Sequence, residues 1–327
     1  MTREIHKLRR RDVLGSALVL TAAPALAQQP AFPSRPVRIL VGYAAGGGVD
    51  AMARMLATRM SPLLGQQVNV ENRPGAASAI AADAVAKSPA DGYTLLVGDT
   101  AMLVSPLLGT KVPYDPIQSF TPVAGAFQAP LMIVAHNGVP ASSPAELVAL
   151  MKANPGRYSY ATSGIGTVHH LGFEILKART GASAVHVPYR GASQILPDVM
   201  GGQIPLAVVS VAAGMAQARA GRLKAVAQMS TGKLPGAESL PALAEVLPGF
   251  DVAPSVFVLA PAGTPAVVVE RLGEAIRNVL ASADLAQAAA QAGVVPAYLP
   301  PQAQSAAMAR ETAQWADVIR QQKITAE

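Results

Sequence analysis

Short apolar runs alternate with amphipathic stretches along most of this chain, which is how strands and helices read when they are wound into α/β layers. Val37–Tyr43 is apolar or glycine at every position except Arg38, a buried-strand run, and Asp50–Leu64 repeats apolar residues at helical spacing until Gly65 closes it. Val68–Asn72 predicts the next strand, Ser78–Lys87 a helix and Tyr93–Val97 a strand, joined by the short connections that βαβ units prefer. Beyond Pro113-Tyr114-Asp115-Pro116, the runs Val123–Ala126 and Leu131–Ala135 are strand-like. Ser143–Lys152 then predicts a helix capped by Ser143, with Pro144 in its first turn and Asn154-Pro155-Gly156 as its stop.

The succession of strand, glycine loop and helix occurs a second time. Tyr158–Ala161 predicts a short strand, Thr162-Ser163-Gly164-Ile165-Gly166-Thr167 a loop, and Val168–Arg179 a helix. Strands at Val185–Pro188, Leu206–Ser210 and Lys224–Ala227 follow, with helices around Ser193–Met200 and at Ala213–Ala220 between them. The tail predicts a strand at Ser255–Ala260, a helix at Pro265–Ala281 and an amphipathic helix from about Gln302 to Gln322. No low-complexity linker separates these parts, so two lobes would be joined by ordered strands, with crossings near 121–131 and 248–256. The expected division is 28–124 with 254–327 as lobe I and 125–253 as lobe II.

Composition changes this picture mainly at the N-terminus. Arg3, Lys7, Arg9, Arg10 and Arg11 precede an apolar stretch at 13–26, and Ala25-Leu26-Ala27 has the small-x-small pattern of a signal-peptidase site, so residues 1–27 read as an export signal. Arg10-Arg11-Asp12-Val13-Leu14 also resembles a twin-arginine signal, with Val13 where Phe is usual. The apolar stretch is too short and too interrupted for a membrane span of roughly 20 residues. Of the formal charge of +6, the signal carries five basic and two acidic residues, leaving 21 basic and 18 acidic side chains, a net of +3. No basic stripe interleaved with aromatics is present, so no nucleic-acid partner is expected. The absence of cysteine excludes thiol nucleophiles and thiolate metal sites and suits an exported chain without disulfides.

Candidate chemistry sits in the two glycine loops. A helix N-terminus carries unpaired N–H donors and the positive end of the macrodipole, and glycines ahead of it let an anion approach. Gly46-Gly47-Gly48 with Asp50 fits that description, and so does the loop at Thr162–Thr167. Each dipole contributes about 0.3–1 kcal/mol and each hydrogen bond to a charged group about 1.5–3. Micromolar binding requires about 8 kcal/mol net, so two such loops facing one volume could hold an anion without a buried arginine. Neither loop meets a nucleotide motif: the first lacks G-K-[ST], and His169 stands where a dinucleotide fingerprint wants Gly or Ala. His170 and Glu174 lie four apart on one helical face, yet the order His-Glu-x-x-His is absent and no metal is expected. No G-x-S-x-G elbow frames a serine such as Ser163, so no catalytic residue is expected, with an exported α/β hydrolase as the alternative.

Several ordered motifs resemble one family. They are Phe32-Pro33-Ser34-Arg35-Pro36-Val37-Arg38, the glycine run with Asp50, Val70-Glu71-Asn72-Arg73-Pro74-Gly75-Ala76, Asp91-Gly92-Tyr93-Thr94-Leu95-Leu96, Tyr114-Asp115-Pro116, the Gly164–Lys177 segment, His186-Val187-Pro188-Tyr189-Arg190-Gly191 and Ala260-Pro261-Ala262-Gly263-Thr264-Pro265. Together with a Trp-containing last helix they resemble the Bug receptors, extracytoplasmic solute-binding proteins of the tripartite tricarboxylate transporter type.

The resemblance implies a two-lobed periplasmic binding protein, type II-like, of α/β class, with mixed, mostly parallel sheets and two crossover strands, closing like a hinge over a small organic carboxylate. It implies ligand contacts from Tyr43, Ala45, Gly46, Gly47, Gly48 and Asp50 in the first loop, from Thr162, Ser163, Gly164, Gly166, Thr167 and His170 in the second, and from Ser210 at a strand end. A monomer without cofactor, delivering ligand to membrane permease subunits, is the expected setting, and a sensor without a permease is its variant. Departures concern the ligand: relatives often have Thr or Ser at Val49, Asn at Ile165, a Trp-containing pair in the run that here reads Ala253-Pro254-Ser255-Val256-Phe257, and Asp or Asn near Val208-Val209-Ser210. These replacements favour a carboxylate with an apolar body.

Overall fold

The computed structural model describes residues 32–75, 78–189, 192–231, 234 and 236–325. The export signal expected at 1–27 lies outside them. Two sheets organise the chain. The first contains β1 (Val37–Val41), β2 (Val68–Asn72), β3 (Thr94–Asp99), β4 (Phe120–Gln128), β10 (Ser255–Pro261) and β11 (Val295–Leu299) in the order β11-β4-β10-β3-β1-β2. The second contains β5 (Leu131–Ala135), β6 (Ser159–Thr162), β7 (Val185–Pro188), β8 (Leu206–Ser210) and β9 (Lys224–Gln228) in the order β7-β6-β8-β5-β9.

Each sheet is built around a parallel triple, β2-β1-β3 in one and β7-β6-β8 in the other. Their neighbours run the other way: β10 is antiparallel to β3 and β4, and β5 is antiparallel to β8 and β9. The sheets are therefore mixed, and the parallel part is confined to the βαβ units that the sequence shows as alternation. In both lobes the chain lays its first strand in the middle, the second on one side and the third on the other. This reversal of strand order is a topological switch point, and in open α/β sheets the crevice at the carboxyl ends of such strands is where ligands bind.

The helices form for local reasons. In α1 (Gly48–Leu64), Met52, Ala53, Leu56, Ala57, Met60 and Leu64 are buried at helical spacing, and Gly65 ends it in the left-handed conformation at φ 68°. In α5 (Val168–Thr180), Thr167 caps the start by accepting from His170 N at 3.4 Å, and Gly181 at φ 70° ends it. α2 (Ala79–Ala86), α4 (Pro144–Ala153), α6 (Ala192–Met200), α7 (Val211–Arg219) and α8 (Ala266–Leu280) also lie where the pattern places helices. Among the described residues, α3 (Thr100–Leu107), α9 (Ala283–Ala292), the edge strand β11 and a short 3-10 turn at Leu243–Glu245 do not appear in that pattern.

α1, α8 and β1, β3, β4 and β10 share one apolar core. A second core gathers β5, β6, β8 and β9 with α4 and α5. The last helix, α10 (Pro301–Gln322), enters both regions: Met308 packs with Leu96, Met102 and Phe257 of the first sheet's side, while Trp315 and Ile319 pack in the core of the second sheet. The chain passes from the first sheet to the second between Gln128 and Leu131, and returns between Gln228 and Ser255.

Candidate functional site

Four segments stand at the carboxyl ends of the two switch-point strand pairs: Gly42–Gly48 after β1, Asp99 closing β3, Thr162–Thr167 from the last residue of β6 onward, and Ser210 closing β8. Topology alone brings them into two equivalent pairs. Asp99 occupies in the first lobe the place that Ser210 occupies in the second, and the sequence pattern does not single it out.

The first loop is held from below and open above. Asp50, 2 % exposed, accepts from Gly46 N at 2.8 Å and Arg54 Nε at 2.9 Å through one oxygen, and from Asn72 Nδ2 at 2.8 Å through the other. The Arg54 hydrogen bond foremost holds its carboxyl down at about 2. Asn72 Nδ2 also donates to the Tyr43 carbonyl at 3.0 Å. Asp50 thus shapes the loop from inside the fold. Gly47 is the N-cap of α1 and offers no side-chain cap, and the first intrahelical bond runs from Ala51 N to the Gly47 carbonyl. The Gly48 and Val49 N–H groups are therefore first-turn donors without an intrahelical partner. A Cβ at Gly46 or Gly48 would meet nothing within 4 Å, so the loop faces open space, and Gly46 at φ 82° needs its glycine. Ala45 is exposed beside it.

Tyr43 reaches across the strand ends. Its phenol donates to both oxygens of Asp99, at 2.9 and 2.8 Å, and Asp99 as N-cap of α3 accepts from Ala101 N at 3.2 Å. Burial first, and Glu311 nearby, push the Asp99 carboxyl up to about 6 against the downward pull of these hydrogen bonds.

The second loop is braced by its own polar groups. Thr162 Oγ1 lies 2.6 Å from His186 Nε2 and accepts from Gly164 N at 3.3 Å; Thr167 Oγ1 donates to the Gly164 carbonyl at 2.8 Å. Gly166 N donates to His170 Nδ1 at 3.1 Å. His170 is buried, stacks on His186 with ring centroids 3.8 Å apart, and has Nε2 3.8 Å from Glu174. Glu174 in turn accepts from Tyr160 at 2.5 Å and Lys177 at 2.8 Å. His170 is thus buried, with Nδ1 accepting from the Gly166 amide and Nε2 on the side of Glu174. Burial lowers His170, and lowers His169 and His186 to about 4, so the three rings are neutral at pH 7.

Ser163 Oγ sits 3.2 Å from His169 Nδ1, but among the described residues no carboxylate is hydrogen-bonded to that ring, and the pair is not a triad. Ile165 is exposed at the loop tip. Ser210 is half-buried and caps α7, accepting from Ala213 N at 3.4 Å.

α3 joins the two loops. Its N-terminus carries Asp99 against Tyr43; past its C-terminus Leu108 touches Gly166, where a Cβ would overlap the leucine. Eight residues of helix span about 12 Å, which sets the scale of the separation between loops. A hollow of about 720 Å³ beside Thr58, Ser61, Pro62 and Gly65 lies at the opposite end of α1, without charged side chains, and has no part in this arrangement. Among the described residues no cluster of three His, Cys, Asp or Glu side chains could hold a metal ion, and no helix is long and apolar enough to cross a membrane.

The family model for the tripartite tricarboxylate transporter family receptor matches residues 52–324. A UPF0065 protein from the tcbD–tcbE intergenic region of Pseudomonas sp. strain P51 is 38% identical over 325 residues, covering 97% of this chain and 96% of that one. Among solved structures, Rpa4515 of R. palustris with adipate is 31% identical with a TM-score of 0.79, covering 90% of this chain and 99% of that one. MatC of Rhodopseudomonas palustris with bound malate is 28% identical with a TM-score of 0.73, covering 88% and 100%.

Proposed function

This chain belongs to the tripartite tricarboxylate transporter receptor family, and we propose that it captures a small organic carboxylate between its two lobes in the periplasm and delivers it to a membrane permease of that transporter type. The observation that carries this is the pair of equivalent switch points, one of which ends in an uncapped helix N-terminus facing open space. The Gly48 and Val49 N–H groups and the α1 dipole receive the carboxylate, as helix N-termini do for anions. The second loop, stiffened by His170 and Thr167, supplies the opposing wall, and exposed Ile165 gives that wall an apolar tip. Dicarboxylates of four and six carbons in the two related structures fit a site of this kind. A ligand that bonds to both lobes stabilises the closed arrangement by its differential contacts, which is all that transport by capture requires. No step of covalent chemistry is needed, in keeping with a family of receptors.

A thermal-shift panel of mono- and dicarboxylates tests this. A carboxylate that binds the native state raises the melting temperature, by about 2.7 kcal/mol of added stability at a hundredfold excess over Kd. Gly48→Val adds bulk where there is open space and should leave the unliganded melting temperature within about 1 °C while weakening binding at least tenfold. A panel without any shift, or full affinity in Gly48→Val, overturns the assignment.

A further inference from the structure

Building on the carboxylate-receptor function proposed above, we propose that Asp99 sets specificity by accepting a hydrogen bond from a donor group, an ammonium above all, that the ligand carries beside the carboxylate held at α1. Three observations place this role at Asp99. First, the parallel register of β1 and β3 sets Val41 against Val97, so that Asp99 and Tyr43 emerge side by side at the same strand ends. Asp99 is thereby part of the crevice wall next to the glycine loop. Second, its partners leave capacity unused: a carboxylate offers about four lone-pair positions, and here one phenol shared between both oxygens, the Ala101 amide and the amide of Asp99 itself are bound to it. Third, among the described residues no lysine, arginine or histidine forms an ion pair with it.

A carboxylate without a counter-cation is out of place beside a pocket for anions unless the ligand itself supplies a positive or donating group. The contrast with Asp50 makes the point: that carboxylate, in the first turn of α1, has Arg54 and two further donors and is buried. Asp99 is half-buried instead, in the place that Ser210 holds in the other lobe. A site with N–H donors at one end and an unneutralised acceptor at the other complements a 2-amino carboxylate best, a 2-hydroxy carboxylate next, and a carboxylate with hydrogen at that carbon least.

The titratable groups around Asp99 are Tyr43 from the loop after β1, Tyr114 ahead of β4, and Glu311 from α10, which accepts from the neighbouring Thr100. None of these is a cation. With its carboxyl at about 6, Asp99 is ionised at pH 7.5 and loses its charge on acidification, so the preference for an ammonium weakens below pH 6.

Calorimetry on the purified protein with matched triplets tests this, each triplet differing only at carbon 2: succinate, malate and aspartate, and the corresponding three-, five- and six-carbon acids. At pH 7.5 the 2-amino member should bind at least tenfold more tightly than the unsubstituted member, with the 2-hydroxy member between. Asp99→Asn and Asp99→Ser retain an N-cap for α3, since Asn and Ser cap as well as Asp. Both should bring the ratio within each triplet to near one. At pH 5 the wild-type ratio should also shrink. A wild-type ratio of one or below, or a ratio unchanged in both variants, overturns the role of Asp99 while leaving the receptor function standing. Triplets that bind nowhere overturn both.

Discussion

At the scale of single residues, Ser78 is the place where the chain works against itself. It sits at φ 75°, a left-handed conformation, at the N-cap of α2, yet its side chain caps nothing. Its hydroxyl is buried without a hydrogen-bond partner among the described residues, and it lies so close to Gly42 that a Cβ there would overlap it. Left-handed backbone costs a residue with a Cβ about 1–2 kcal/mol, and an unsatisfied buried hydroxyl about 1–3. Ser78→Gly removes both penalties and adds about 0.5–1 kcal/mol of chain entropy to be lost on folding. The net expectation is a gain of about 1–4 kcal/mol, read as a higher urea midpoint at unchanged slope. Ser78→Ala discriminates between the two sources of strain, because it removes the hydroxyl and keeps the left-handed Cβ. It should recover only part of the gain. Equal stability of Ser78→Gly and the parent would show that the local backbone is not strained.

At the scale of elements, α10 fastens the strands that pass between the sheets. Glu311 on this helix accepts from Thr100 Oγ1 at 2.5 Å and from Ser255 Oγ at 2.6 Å, joining the start of α3 to the start of β10. One turn on, Trp315 is 3 % exposed in the core of the second sheet. Trp315→Ala should therefore destabilise the whole chain by about 3–5 kcal/mol, as large-to-small core changes do, and in a single cooperative transition, because the helix belongs to both cores. Circular dichroism reads this, since Trp315 is the sole tryptophan and its fluorescence goes with it. A separate early transition in the variant would show that α10 serves one lobe alone. The same elements differ in how far the amino-acid sequence reports them. α1, α5 and α10 were legible because polar and apolar faces alternate at 3.6 residues and glycine or proline marks their ends. α3 was not, because Thr100–Leu107 is apolar almost throughout, contains Pro106, and begins directly at the end of β3 without a loop. β11 escaped for a related reason: Pro296 argues against a strand, and only its edge position tolerates it. Missing α3 also hid Asp99, whose position matters only once a helix starts there. The glycine loops were visible as motifs, but the burial of His170 beneath the second loop depends on His186 and Glu174, and no local pattern reports such a stack.

At the scale of the whole molecule, Asp99 opposes the other titrating groups, and their balance fixes how stability follows pH. His169 and His186 are lowered to about 4, and His170 is lowered too, from an unfolded value near 6.5. As pH falls from about 6.5 to 4, the unfolded chain takes up protons on these rings while the folded chain does not, so their contribution to stability is lost over that interval. Asp99 acts in the other direction: raised to about 6, it takes its proton in the folded state well before the unfolded carboxyl does near 3.9, so acidification through this window stabilises the fold. Asp50, held at about 2, keeps its contribution down to about pH 4 and surrenders it only between there and pH 2. Three histidines outweigh one aspartate, so the stability of the parent should fall by about 4 kcal/mol between pH 7 and pH 4. Urea titrations at pH 7, 5.5 and 4 measure this directly. Asp99→Asn, which abolishes the opposing contribution, should be more stable than the parent at pH 7 and lose more on acidification. His186→Gln should lose less. A stability that stays level or rises from pH 7 to pH 4 would mean that the rings beneath the second loop are not held neutral, and with that the account of how His170 and His186 brace the loop would fail.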